Sequence, residues 1–156
     1  GVFLDVHPLA GMTHFTVEVV FKPYAQGAAE QRFFHMQEDE TDSRVMFETR
    51  LVDGDRWFLD TFIKSGGQGV TLYAEDHLHE IGRWHHAAIV VDGATMRHYV
   101  NGKLELGETL DYEAQSAGRT SLGVRINEQH WFKGAIRTAR FTPRVLAPSE
   151  FLTADD

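Results

Sequence analysis

The sequence contains no cysteine, which excludes disulfides and thiolate metal sites. That absence fits either a reducing compartment or a secreted bacterial protein that never relied on bridges. Long apolar runs are missing too. Uncharged stretches such as Ala87-Ala88-Ile89-Val90-Val91 are far too short to span a bilayer, and no charged segment followed by an apolar one opens the chain. The expectation is a soluble chain without a secretion signal and without a membrane partner. Positive charge is scarce: 15 Lys and Arg stand against 23 Asp and Glu, a formal net charge of -8. Nucleic-acid binders present clustered positive charge, so nucleic acid is not an expected partner. No glycine loop follows a strand and opens a helix, and no Gly-x-Ser-x-Gly elbow occurs, which disfavours nucleotide and serine-hydrolase chemistry.

What is present is ordinary for a folded domain: 42% hydrophobic and 24% charged residues over 156 positions. One domain over residues 1–156 is expected. Period-two alternation recurs with turn residues between the runs, the pattern of an antiparallel sandwich. Phe15, Val17, Val19 and Phe21 fall on one face, which should be core. Similar runs span Arg44 to Leu51 and Trp57 to Ile63. Further strands are expected at Val2 to Val6, Gln31 to Gln37, Val70 to Tyr73, Trp84 to Val91, Met96 to Val100, Lys103 to Leu106, Thr120 to Ile126 and Gly134 to Phe141. Asp92-Gly93 and Asn101-Gly102 predict two successive hairpins, because type I′ turns need positive φ at both central residues. Ser65-Gly66-Gly67-Gln68-Gly69 and the acidic Glu38 to Asp42 read as loops. There is no convincing amphipathic helix, internal repeat or low-complexity tract.

The stretch from Gly82 through Trp84-His85-His86 and Asp92-Gly93 to Tyr99-Val100-Asn101-Gly102 is more specific than periodicity. It resembles the signature of bacterial laminin-G-like jelly rolls of the concanavalin A-like class. Phe15-Thr16-Val17-Glu18 resembles that family's early core strand, and Gly134 to Arg137 with Leu146 and Glu150 resembles its closing strand and tail. The resemblance implies a two-sheet antiparallel jelly roll, an extracellular or periplasmic bacterial setting, and a glycan or a protein surface as partner. Relatives commonly begin one strand earlier, so the chain is expected to lack an N-terminal strand and to leave an open sheet edge that another copy or a removed segment could occupy. Relatives also carry an acidic residue in the closing strand where calcium can be held. Here Arg137-Thr138 stand at that point, so no cofactor is expected, with calcium the one ion the resemblance suggests. Physically, Trp84 is expected to be core, and the small pair Ala87-Ala88 to permit close sheet approach.

Hydrogen-bonding and charged side chains recur inside the expected strands: Glu18, His35, Glu48, Arg50, Asp60, His86, His98, Arg125 and Arg137. If several line one concave sheet they form a ligand groove; otherwise they are cross-strand ion pairs on a wet face. A glycoside hydrolase would draw two carboxyls from Glu18, Glu48 and Asp60, and a lyase would use His35, His86 or His98 as base with Arg50 or Arg125 as clamp. The catalytic candidates are thus Glu48, Asp60 and His86. The tight carboxylate spacing of glucanases is absent, because Glu48-Thr49-Arg50 puts an arginine where a second acid would sit. Trp131, in an expected loop, is the main candidate to stack on a sugar, with Tyr24 and Tyr73 behind it. His77-x-His79 and His85-His86 are the nearest approaches to zinc spacing, but neighbouring strand residues face opposite ways, so no metal site is expected. The leading expectation is a non-catalytic binding module of a larger bacterial protein; the alternatives are a glycan-active enzyme and an oligomerising domain.

Overall fold

The computed structural model describes residues 1–156. Twelve strands and one 3-10 turn follow in order: β1 (Val2–Leu4), β2 (His14–Pro23), β3 (Glu30–Glu38), β4 (Arg44–Val52), β5 (Arg56–Ser65), β6 (Gln68–Tyr73), β7 (His79–Glu80), β8 (His85–Asp92), β9 (Thr95–Val100), β10 (Lys103–Thr109), β11 (Gly118–Leu122), β12 (Gly134–Thr142) and the turn Pro148–Glu150. They form two antiparallel sheets. One has the order β1-β11-β3-β4-β5-β6, with β7 added beside β5; the other has the order β10-β9-β8-β2-β12. This is the expected two-sheet jelly roll.

The inner faces follow from alternation. Phe15, Val17, Val19 and Phe21 of β2 are fully buried and meet Phe33, Phe47, Trp57, Leu59 and Ile63 of the opposite sheet in one apolar cluster. The ring of Phe21 stacks on Phe33 at 4.2 Å and meets Trp57 edge-on at 5.2 Å. A bulge in β3 between Arg32 and Phe34 breaks strict alternation. An extra residue in one strand lets two consecutive side chains take the same face. Both Phe33 and Phe34 therefore enter the core, while Arg32 and His35 line the outer face.

Several expectations need correction. Trp84 is not core: it precedes β8, is only partly buried, and lies against Arg137 with the guanidinium carbon 3.9 Å from a ring centroid. Trp57 is the fully buried tryptophan. Of the alanine pair, only Ala87 joins the main core, while Ala88 packs with Val90, Tyr99, Leu146 and Phe151 under the C-terminal tail. That tail covers the outer face of the five-stranded sheet, which explains why β2 and β8 are buried on both sides. Strand β11 stops at Leu122, because Gly123 turns the chain at φ 81°. Strand β1 ends at Leu4 rather than Val6, and β7 was not legible in the alternation.

The two hairpins exist, β8 to β9 and β9 to β10. Asn101 (φ 51°) and Gly102 (φ 79°) have the paired positive φ of the expected turn. At the other hairpin only Gly93 is left-handed; the Asp92 carboxylate instead accepts hydrogen bonds from the Ala94 and Thr95 amides.

Candidate functional site

Four neighbouring strands build a charged pocket on the outer face of the seven-stranded sheet. Arg32 lies opposite Glu48, Glu48 opposite Asp60, and Asp60 opposite Tyr73, so one row of outward side chains crosses β3, β4, β5 and β6. Successive rows on the same face follow from the two-residue period: Glu30 and Arg50 on one side, Met46, Phe62 and Thr71 on the other. The loop after β11 adds Arg125. With Arg44 at the start of β4, these side chains border a depression of about 230 Å³ open to solvent, Glu30 and Tyr73 standing just outside it.

The carboxyls are buried and the guanidiniums span the gap between buried and wet. Glu48 is 3% exposed and Asp60 2%. Arg50 donates from Nε to Asp60 Oδ2 at 3.0 Å, from Nη1 to Glu30 Oε2 at 3.0 Å, and from Nη2 to Glu48 Oε2 at 3.3 Å. Arg32 pairs with Glu30, and its Nε lies 2.9 Å from Glu48 Oε1. Asp60 Oδ1 is buried and has no hydrogen-bond partner. Burial and the facing Asp60 push the Glu48 carboxyl up to about 7, and burial also raises Asp60. A proton held by the pair replaces like-charge repulsion with a hydrogen bond, so the titration belongs to both groups.

A raised carboxyl pKa means that the native state holds a proton the unfolded chain has already released. Stability from this pair therefore falls as pH rises from about 4.5 to 7 and is level above. His35 works in the opposite sense: burial first, then Arg125 and Arg44, depress it to about 3, so its contribution is lost as pH falls below 6.5. Comparison with Glu48→Gln cancels the histidine. Urea titrations at pH 4.5 and 7.5 should show the variant gaining on the wild type by roughly 1–3 kcal/mol over that interval. An unchanged difference would mean that Glu48 titrates as an ordinary glutamate.

His35 also anchors the loop that carries Arg125. Its Nδ1 accepts from the Ile126 amide at 3.1 Å, and Nε2, the protonated nitrogen, bonds Gln37 Oε1 at 2.9 Å. The loop is tightened by hydrogen bonds from the Glu128 amide to the Arg125 carbonyl and from the Arg125 amide to the Gln129 carbonyl.

Of the residues read as candidates, Glu48, Arg50, Asp60 and Arg125 converge here, with His35 beside them. The others do not. His98 points between the sheets, fully buried, and bonds Thr61 and Glu105. His86 and Glu18 lie under the C-terminal tail on the other sheet, 2.9 Å apart. Arg137 is on that same sheet against Trp84. Trp131, 50% exposed, lies near Gly1 and Leu122 at the margin between the sheets. Tyr73 is the aromatic beside the pocket, its ring 5.5 Å from the Arg50 guanidinium and 46% exposed. Sequence reasoning missed Arg32 and Arg44. Arg44 could have been found by counting back from Glu48 in steps of two; Arg32 could not, because the bulge resets the faces. No group of three or more His, Asp or Glu side chains is placed to hold a metal ion.

This architecture has known counterparts. The chain belongs to the family Laminin_G_3 of the concanavalin A-like lectin/glucanases superfamily, whose model matches residues 1–151. No curated protein matches it in sequence. Among solved structures it is similar to domain 4 of AbnA, a GH43 extracellular arabinanase from Geobacillus stearothermophilus in complex with arabinotriose (21% identity, 96% of this chain and 69% of that one, TM-score 0.71). It is likewise similar to the SAP-like pentraxin of Limulus polyphemus (19% identity, 94% and 70%, TM-score 0.69). A third is the Ruminococcus gnavus IT-sialidase CBM40 bound to alpha2,3 sialyllactose (14% identity, 89% and 80%, TM-score 0.62). At these identities the likeness is one of fold.

Proposed function

We propose that this domain is a non-catalytic glycan-binding module whose ligand sits in the charged pocket of the seven-stranded sheet. The observation that carries this reading is the convergence of Glu48, Asp60, Arg32, Arg50 and Arg125 from separate strands and a loop into one solvent-open depression. Sugars are held by fixed polar groups beside an aromatic face. Arg50 and Arg125 offer donors for sugar hydroxyls, and Tyr73 offers the ring. Two similar domains are described in complex with oligosaccharides, which supports the same class of ligand here.

Binding is favoured over cleavage by the placement of the acids. Glycosidases set two carboxyls on opposite sides of the scissile bond, with about 5–9.5 Å between them. Glu48 and Asp60 face each other across adjacent strands and are both tied to Arg50. One observation favours an enzyme instead: a Glu48 carboxyl pushed up to about 7 suits a general acid.

A glycan array run alongside reducing-sugar and unsaturated-product assays separates the two. The module reading expects binding without turnover, and Tyr73→Ala should weaken the bound glycan roughly tenfold by loss of stacking. Turnover that Glu48→Gln abolishes would replace the module with an enzyme.

A further inference from the structure

We infer that the Arg44 and Arg125 corner of the pocket is a subsite for the oxyanion of an acidic sugar residue, a carboxylate or a sulfate ester. The inference rests on the pocket being a glycan site and adds the class of sugar.

The charge inventory carries it. Four guanidiniums line the pocket, from Arg32, Arg44, Arg50 and Arg125, against two carboxyls, Glu48 and Asp60. Glu30 at the rim is engaged by Arg32 and Arg50. Glu30 and Glu48 are each bound by both Arg32 and Arg50, and Asp60 by Arg50, which leaves Arg44 and Arg125 without a buried carboxylate in contact. The carboxylate nearest Arg44 is the exposed Asp42, 3.6 Å away and itself held at 2.6 Å by Lys64. Arg125 has no carboxylate partner. Like charges are gathered in this way only at a cost, and here they gather on a chain whose formal net charge is -8.

The local construction holds these cations in place rather than letting them disperse. The Arg44 guanidinium lies over the Phe62 ring at 5.0 Å, so its face is covered and Nη2 is the N–H group left for a ligand. Its Nη1 donates to the Asp42 carbonyl at 2.8 Å, while its Nε is buried without a partner. Arg125 is fixed by its turn and by the Ile126 amide on His35. Burial, and then Arg125, lower the affinity of Arg44 for its proton, and the same two arginines help keep His35 neutral. An oxyanion between the two forks would relieve that repulsion and take charge-assisted hydrogen bonds from both.

The test uses three probes at low and moderate salt: an oligogalacturonate for the carboxylate, a sulfated galactan oligosaccharide for the sulfate, and a neutral xylo-oligosaccharide. Calorimetric titration should show one acidic probe binding, with affinity falling as salt rises. Whichever acidic probe binds identifies the oxyanion. Arg125→Ala should weaken that probe roughly ten- to a hundredfold. A thermal melt serves as control; because the Arg125 side chain has no carboxylate partner, its midpoint should stay within a degree or two of wild type. Tighter binding of the neutral probe than of either acidic one, or equal affinity in Arg125→Ala, would overturn this inference and leave the module reading standing. No binding to any glycan across the three probes and the array would overturn both.

Discussion

Glu18→Ala should cost about 3–5 kcal/mol of stability, the range for removing one partner of a buried ionic network. Glu18 is fully buried on β2, between β8 and the edge strand β12, yet it holds three donors. His86 Nε2 lies 2.9 Å from Oε1, the Leu152 amide donates to Oε1 at 2.7 Å, and Arg140 Nε donates to Oε2 at 2.6 Å. Burial alone would raise this carboxyl; the hydrogen bonds from His86, Arg140 and Leu152 outweigh it and hold Glu18 below its ordinary range. Truncation leaves the buried His86 and the Leu152 amide without their acceptor, while the partly exposed Arg140 keeps the Glu150 carbonyl and water. Because the Leu152 amide belongs to the tail that covers Ala88, Val90 and Tyr99, the loss has a local reporter. Limited proteolysis should cut near Leu152 in the variant at protease levels that spare the wild type. A variant with unchanged urea midpoint and an intact tail would show that the Phe151 and Leu146 contacts hold the tail without the carboxylate.

Trp57→Ala should cost a further large amount, about 3–5 kcal/mol by cavity formation, whereas Trp84→Ala should cost about 1 kcal/mol or less. The contrast follows from position. Trp57 is enclosed by Phe21, His79 and His85, with ring centroids at 5.2, 4.9 and 5.1 Å. Trp84 rests under Arg137 at the surface. Denaturant unfolding of the two variants side by side decides it. Near-equal losses, or a larger loss at Trp84, would mean that the tryptophan of the Trp-His-His segment carries the core after all.

The strand positions and the core face of β2 were largely readable from local pattern, whereas the sheet order, which sets β11 beside β3 and β12 beside β2, was not. Eleven strands fall close to their expected places, and Phe15, Val17, Val19 and Phe21 are core as alternation requires. The candidate site was half legible. Glu48 and Arg50 share a face because they are two apart in one strand, and Asp60 joins them through the β4 to β5 register. His86 and His98 looked equivalent to these in the sequence, yet a buried histidine bonded to a glutamate and a groove histidine have the same one-letter pattern. Tyr73 lies beside the pocket and Trp131 away from it, a placement the sequence did not reveal because which loop folds over which sheet is not a local property.

Alternation and turn residues were sufficient by themselves to specify an antiparallel β-sandwich, since period and turn chemistry act over a few residues, and the jelly-roll topology was implied by the resemblance of the Gly82 to Gly102 stretch. Three things depended on the tertiary structure. The β3 bulge moved Arg32 onto the face of Glu48, the C-terminal tail buried Glu18 and His86 on the far sheet, and the loop after β11 brought Arg125 to Arg44. Each joins residues far apart in the chain, and their charge and burial are set by neighbours that no short window of sequence contains.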